Sequence, residues 1–363
     1  MSEKQKANSV KDNRVDAKYI KCLSCGANME FNPERQVLFC SHCGSERKFN
    51  TDTLASEKDL LTGMNEECWT DVEENQYVCE NCSAKIIVSE NQSSFTCPFC
   101  GTNHVQKTNE FVGLKPNALL PFTFNKEKAL EYSKNWAKKK FFAPNKFKKH
   151  LKTENVHGVY LPCFTFDSYT YSEYAGRIGT THTKYVGSGK NRRVVHYTVW
   201  RNISGVHYDN FDDVLLSAGS KCNQQQIEKL SPFETNFSKE YNPNYMLGFM
   251  SYKYDCEVES LWGVAKSKMD VAIKNTILSG YVFDKLAYFN VSTRHEKTTY
   301  KYVMLPVYVG NFSYAKKNYN FYVNGNTGKV WGKTPKSFWK IFFTVIGCVA
   351  VAISACLLFL TFG

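Results

Sequence analysis

The chain has 363 residues, 43% of them hydrophobic, with a formal net charge of +12. That length allows two or three domains with ordinary globular cores. Fourteen cysteines are too sparse for a secreted disulfide scaffold of this size.

Residues 1–18 are polar and charged, with no apolar core of the kind a signal peptide needs, and are expected to be disordered. Unpaired cysteines without such a signal point to a reducing compartment, and the cytoplasm is expected. Residues 1–110 hold 12 Lys and Arg against 17 Asp and Glu, which puts the cysteine-rich part at −5 and the remainder at +17.

Residues 19–50 and 76–108 each carry C-x2-C-x14-C-x2-C: Cys22, Cys25, Cys40 and Cys43, then Cys79, Cys82, Cys97 and Cys100. One CxxC step puts two thiolates on a tight turn, and a second turn completes a tetrahedron around Zn2+. Short strands are expected at 37–39, 84–89 and 94–96. Gly26, Gly44 and Gly101 follow the second cysteine of their pairs, where such turns often need φ > 0, whereas Ser83 holds that place in the third pair. The pattern predicts two zinc ribbons with two structural Zn2+ sites. An iron site of the rubredoxin kind shares the spacing, and a pair of redox CxxC motifs is the blander reading. His42 and His104 are not needed once four cysteines fill a site. A closed set of four ligands leaves no position for water, so the sites are read as folding sites.

A linker is expected at 51–75, then a β-rich α+β domain over 118–335. Residues 125–142 read as a helix capped by Asn125 and ended by Pro144. Several strands are expected from 156 onward, with a hairpin turning at "GSGKN" (187–191). Apolar residues at 258, 261, 262, 265, 269, 272, 273 and 277 predict a long helix with Gly280 at its end. Strands around an "NGNTG" turn close the domain, and an LP-plus-aromatic phrase recurs at 120–124, 161–166 and 305–309. "GSGK" lacks the remaining positions of a phosphate loop. Cys163 with His157, and the pair Asp212–Asp213, are the only arrangements resembling catalytic ones, and both read better as packing or turn residues.

The run "KKKFFAPNKFKK" (138–149) interleaves lysine with phenylalanine. It fits a solvated helix end with some core aromatics, attraction to anionic lipid, or phosphate contact. Finally, residues 341–363 carry no charge and would make about 34 Å of helix. A C-terminal transmembrane α-helix is therefore expected, with Lys329, Lys333, Lys336 and Lys340 on its cytoplasmic side.

The phrases "LPFTFNKEKALEYSKNWAKKKFFAPNKFK", "GVYLPCFTFD", "LSPFETNFSKEYNPNYMLGFMSYKYD" and "FYVNGNTGKVWGKTPKS" resemble the bacterial YdjG-type zinc-ribbon membrane proteins. These are found beside phage-shock-protein-A-like (PspA-like) genes. Relatives are often labelled TFIIB-type ribbons or replication-restart helicases, although this chain has no Walker motif. The resemblance implies a membrane-stress role. The expected protein is thus multidomain: two small β zinc ribbons, a β-rich α+β domain and one transmembrane helix, single-pass in the cell membrane with its other domains facing the cytoplasm. The expected function is a non-enzymatic, tail-anchored adaptor, with the lipid bilayer and PspA-like proteins as partners. The competing expectation is a membrane-tethered nucleic-acid-binding or transcription-related ribbon protein.

Overall fold

The computed structural model describes residues 20–50, 52–63, 75–88, 96–103, 105–108, 114–149, 155–315 and 317–362. The N-terminus expected to be disordered, and part of the linker expected at 51–75, lie outside the described residues.

In chain order, β1 (Glu30–Asn32), β2 (Val37–Phe39) and β3 (Glu46–Arg47) form a small antiparallel sheet around the first cysteine repeat. β4 (Lys58–Asp59) and the single turn α1 (Leu60–Gly63) follow. The second repeat supplies β5 (Asn75–Cys79), β6 (Lys85–Val88) and β7 (Val105–Thr108). Next come β8 (Ala118–Leu119), α2 (Lys126–Lys138), α3 (Asn145–Lys149), β9 (Val156–Val186) and β10 (Arg193–Ser217). α4 (Gln224–Leu230), β11 (Lys239–Glu240), β12 (Met250–Tyr252) and α5 (Val258–Ser279) lead to β13 (Lys285–Tyr314). β14 (Lys317–Asn324), β15 (Val330–Gly332) and α6 (Phe338–Phe362) complete the order.

Among the described residues β4 to β15 belong to one twelve-stranded sheet built on the antiparallel trio β10–β9–β13. Where the sequence suggests several short strands, β9 runs unbroken for 31 residues and β10 for 25. The glycines that look like breaks are places of close approach instead. A Cβ on Gly179 would lie 2.6 Å from Thr198 and 2.9 Å from the Trp200 ring, so the bare backbone lets neighbouring side chains lie across the strand.

Alternate residues of β9 and β13 feed two cores. Tyr160, Phe164, Phe166, Tyr302, Met304 and Tyr308 enter one, shared with Met29, Phe31 and Leu38 of the first repeat, Leu130 of α2 and Leu261 and Met269 of α5. Val159, Leu161, Cys163, Val303, Leu305 and Val307 enter the other, shared with Ile86, Val88 and Phe99 of the second repeat and Ile227 and Leu230 of α4. The period of two in a strand makes this division automatic; the first repeat packs against one face, and the buried side chains of the second, whose strands join the sheet, enter the core on the other. The recurring LP phrases fall side by side: Leu161 pairs with Leu305, and the Leu120 amide donates to the Met304 carbonyl at 3.0 Å.

α2 starts where the cap predicts, with the Asn125 carboxamide oxygen accepting from the Lys128 amide at 3.0 Å, and ends at Lys138, short of residue 142. α5 covers the predicted span and buries Val258, Leu261, Ala265, Met269, Ile273 and Ile277. Gly280 stands at its end with φ −75°, so its left-handed freedom is not used there.

The expected transmembrane helix is corrected: among the described residues no helix is long and apolar enough to cross a membrane. The side chains of α6 are described from 338 to 354. That stretch also begins with a charge engaged by the protein: the Lys340 ammonium donates to the carbonyls of Phe141 and Ala143, at 3.3 and 2.9 Å, and to Asn145 Oδ1 at 2.9 Å. The fold is β-rich with helices on the sheet, and the single-pass membrane placement expected from residues 341–363 falls with the span. The 138–149 run divides in the same region. Phe147 is buried against Phe312, with ring centroids 4.5 Å apart, while Phe141 and Phe142 are exposed.

Candidate metal centres

Each cysteine pair sits on a turn closed by its own backbone. The Gly26 amide donates to the Cys22 carbonyl, Gly44 to Cys40, Ser83 to Cys79 and Gly101 to Cys97, at 2.7–2.9 Å. All four donors have positive φ, from 55° at Ser83 to 76° at Gly44, so the left-handed conformation predicted for the glycines is shared by the serine.

These turns bring together all eight predicted ligands. Cys22, Cys25, Cys40 and Cys43 form one group and Cys79, Cys82, Cys97 and Cys100 another, with the sulfur atoms of each within 4.8 Å of one another. The closest approaches are Cys22 to Cys43 at 3.4 Å, Cys25 to Cys40 at 3.5 Å, Cys79 to Cys100 at 3.5 Å and Cys82 to Cys97 at 3.7 Å. A tetrahedron of sulfurs with metal–sulfur bonds of about 2.3 Å has edges of about 3.8 Å, so both groups fit one four-coordinate ion each.

The two centres differ in burial. Cys25 and Cys43 are exposed, whereas Cys82 and Cys100 are half-buried. The Ser24 amide draws Cys22 down to about 6, and the Ser45 hydroxyl, 3.1 Å from its sulfur, holds Cys43 below the usual thiol range. Burial instead pushes Cys82 up to about 11 and raises Cys97 further. Cys25 of the first centre is nevertheless raised to about 12 and Cys100 of the second is lowered, so each centre holds a thiol whose charged form depends on a bound cation.

The second centre is also clamped. Asn320 Nδ2 donates to the Phe99 carbonyl at 2.7 Å, Asn311 Nδ2 to Pro98 at 3.3 Å and Asn318 Nδ2 to Cys100 at 3.3 Å. Lys221 donates to the Cys82 carbonyl. On its other side β6 pairs with β12, which pairs with β9. The first centre keeps its own sheet and leans on the body through aromatic edges. Phe31 and Phe49 meet Tyr245 at 5.0 and 4.9 Å, and the Phe31 amide donates to the Leu247 carbonyl at 3.0 Å.

A polar cluster that the sequence reading missed joins the segment between the repeats to the sheet. Lys301, buried in β13, lies 2.8 Å from Asp213 Oδ1 and 3.5 Å from Glu57 Oε1. Asp167 Oδ2 accepts from the Thr299 hydroxyl at 3.0 Å, and the same hydroxyl reaches Glu57 Oε2 at 2.7 Å. Burial, helped by Glu57 and Asp213, pushes Asp167 up to about 7. Asp213 adopts φ 52° at a β-bulge between Phe211 and Val214, which turns it onto Lys301. The clue was Lys301 itself: in "YKYVMLPVYV" it shares the strand face of Val303 and Leu305, where only a paired charge is tolerated. The other candidates stay apart from both centres. Cys163 is buried beside Cys222, and burial raises its thiol well above the ordinary range, while burial lowers His157.

Two four-cysteine centres, one packed against a face of a long-stranded β-sheet and one built on strands of that sheet, define the class of this molecule. Over 326 residues, 88% of this chain and 91% of the relative, it is 28% identical to the uncharacterized protein YdjG of Bacillus subtilis (strain 168). That similarity supports a YdjG-like grouping. No family model matches the chain, and no solved structure does.

Proposed function

We propose that the chain is a non-enzymatic adaptor whose two four-cysteine centres each hold a structural Zn2+. The observation that carries this reading is the sulfur spacing of 3.4–3.7 Å in both groups. When bound, the ion supplies a cross-link between two turns and takes four negative thiolates out of mutual repulsion. Four protein ligands fill a tetrahedral Zn2+, with no position for substrate or water. The remaining candidate groups are spent on packing: Cys163 is kept protonated by burial, and a thiol is a poor nucleophile.

The first ribbon is the better docking element. Leu23, between two ligand positions at the tip of its first turn, is 92% exposed, and Glu80 holds the matching place in the second ribbon. The proposed partners are proteins of a PspA-like membrane-stress system, as the YdjG-type resemblance implies. The test is elemental analysis of the purified full chain together with crosslinking to such a partner. Two zinc ions per chain are expected, and Leu23→Asp keeps both while losing the crosslink. Iron in their place, no metal, or a crosslink indifferent to Leu23 overturns the proposal.

A further inference from the structure

The outer halves of β9, β10 and β13 leave the cores as a three-stranded arm. α5 and the turn after it cover one face of it: Trp262 of α5 packs on His295 at 5.5 Å, and Tyr281, just past the helix, meets Tyr174 with their hydroxyls 2.7 Å apart. The opposite face carries Tyr169, Tyr171 and Arg177 of β9. By register, Tyr208 of β10 and Arg294 of β13 flank Tyr171, and Asn202 and Tyr288 flank Arg177.

That face is open and aromatic. Tyr208 is 72% exposed and Tyr169 53%, and Trp200 and Tyr288 are exposed as well. Its cations lie over its rings: Arg294 is 4.6 Å above Tyr171, Arg177 5.9 Å from Trp200, and Arg192 4.1 Å above Tyr185 near the tip. None of these arginines is in an ion pair among the described residues. By register the face also carries two carboxylates, Glu173, which accepts from the Tyr171 hydroxyl at 2.8 Å, and Glu296 opposite Tyr169; beyond them neither 174–208 nor 285–295 contains an Asp or Glu. Thirty-five consecutive residues without an acid make the outer part of the arm, from Tyr174 to the tip and back to Tyr208, predominantly positive.

A flat sheet bearing unburied rings with arginines between them suits a ligand that alternates planar apolar groups with anions. Bases stack on such rings without regard to sequence, and phosphates take the guanidinium donors. We propose that this face, from Tyr169 to Tyr185 with its partners on β10 and β13, binds single-stranded nucleic acid. The acidic ribbons play no part in the contact, so this proposal is independent of the adaptor reading.

The experiment is fluorescence anisotropy of labelled oligo-dT and oligo-rU with the zinc-loaded full chain, from 50 to 200 mM salt. Binding is expected to weaken steeply, with a log–log slope of about −2 to −3 for three or four phosphate contacts. Tyr208→Ala is expected to lower affinity about five- to a hundredfold, while Tyr208→Phe retains it. Arg294→Gln makes the slope shallower by about 0.7. Lys274→Gln, on α5 away from the face, changes neither. No binding at 50 mM salt, equal or tighter binding of duplex DNA, equal displacement by heparin at matched charge, or affinity indifferent to Tyr208→Ala overturns the proposal.

Discussion

The two ribbons share one cysteine spacing and differ in everything around it. The first encloses "MEFNPERQVLF" between its cysteine pairs; Met29, Phe31 and Leu38 of that stretch enter one core of the central sheet, while its strands keep a sheet of their own. The second encloses "AKIIV", whose Ile86 and Val88 enter the core of the central sheet while β6 hydrogen-bonds to β12. The cysteines set the metal geometry, and the residues between them decide whether the module packs on the sheet through side chains or joins its backbone ladder. Metal loss at the two centres should therefore have unequal consequences.

The largest effect expected is at Cys97. Cys97→Ser should leave one zinc per chain and lower the main thermal transition by about 10 °C or more, because apparent zinc affinity in such modules is folding free energy of about 10–16 kcal/mol. Cys40→Ser should also leave one zinc, yet move the main transition by only a few degrees. Calorimetry with metal analysis on both variants checks this; equal shifts would erase the distinction between a ribbon packed on the sheet and one hydrogen-bonded into it.

Next in size is the clamp. Asn320→Ala removes the donor to the Phe99 carbonyl, 2.7 Å away, and should cost about 1–2 kcal/mol. It should also speed zinc release to a chelator from the second centre alone, a readout that general destabilisation would not confine to one ion. If both ions leave faster by the same factor, the carboxamides merely stabilise the sheet.

The segment joining the ribbons is held by the Lys301 cluster, where a smaller and pH-dependent effect is expected. Asp167 is raised from 3.8 to about 7 by burial, so the folded chain keeps a proton there that the unfolded chain releases from about pH 4 upward. Stability from this group is present at low pH and lost as pH rises through about 4 to 7. Glu57, held below its ordinary range through Thr299 and Lys301 against the pull of burial, contributes in the opposite sense at lower pH. Asp167→Asn should flatten the decline between pH 5 and 7.5 in denaturant midpoints. An undiminished decline would place the titrating group elsewhere.

Much of this was legible because the signals are local. The eight cysteines, the Asn125 cap and the α5 period act over a few residues, and each appears where the sequence puts it. The "NGNTG" turn was legible too, but not its reason. Asn324 is fully buried and donates to the carbonyls of Leu230 and Pro232 at 3.1 and 2.9 Å, while its Oδ1 accepts from the amides of Asn326 and Thr327. Pairings such as Ile87 with Ser251 join short strands far apart in the chain, and nothing in three residues of β12 announces a partner. The long strands were missed because glycine reads as punctuation, whereas Gly179 serves close approach. The transmembrane expectation came from the length and charge-free composition of residues 341–363, whereas among the described residues no helix is long and apolar enough to cross a membrane.

The smallest expected effect sharpens the comparison within the turns themselves. Ser83 has φ 55° where Gly26, Gly44 and Gly101 have 74–76°, and its amide still closes the turn onto the Cys79 carbonyl at 2.7 Å. A side chain in the left-handed region meets its own backbone, at a cost of about 1 kcal/mol that glycine escapes. Ser83→Gly should therefore raise stability by about 0.5–1 kcal/mol, less any gain in unfolded-chain freedom. Gly26→Ser, which has open space around its Cβ position, should weaken the first ribbon by a similar amount. Because the second ribbon is hydrogen-bonded into the sheet, Ser83→Gly should move the global denaturation midpoint, while Gly26→Ser should appear only as faster local hydrogen exchange around Cys22 and Cys25. A global shift from Gly26→Ser as large as that from Ser83→Gly would mean that the two modules are held equally after all.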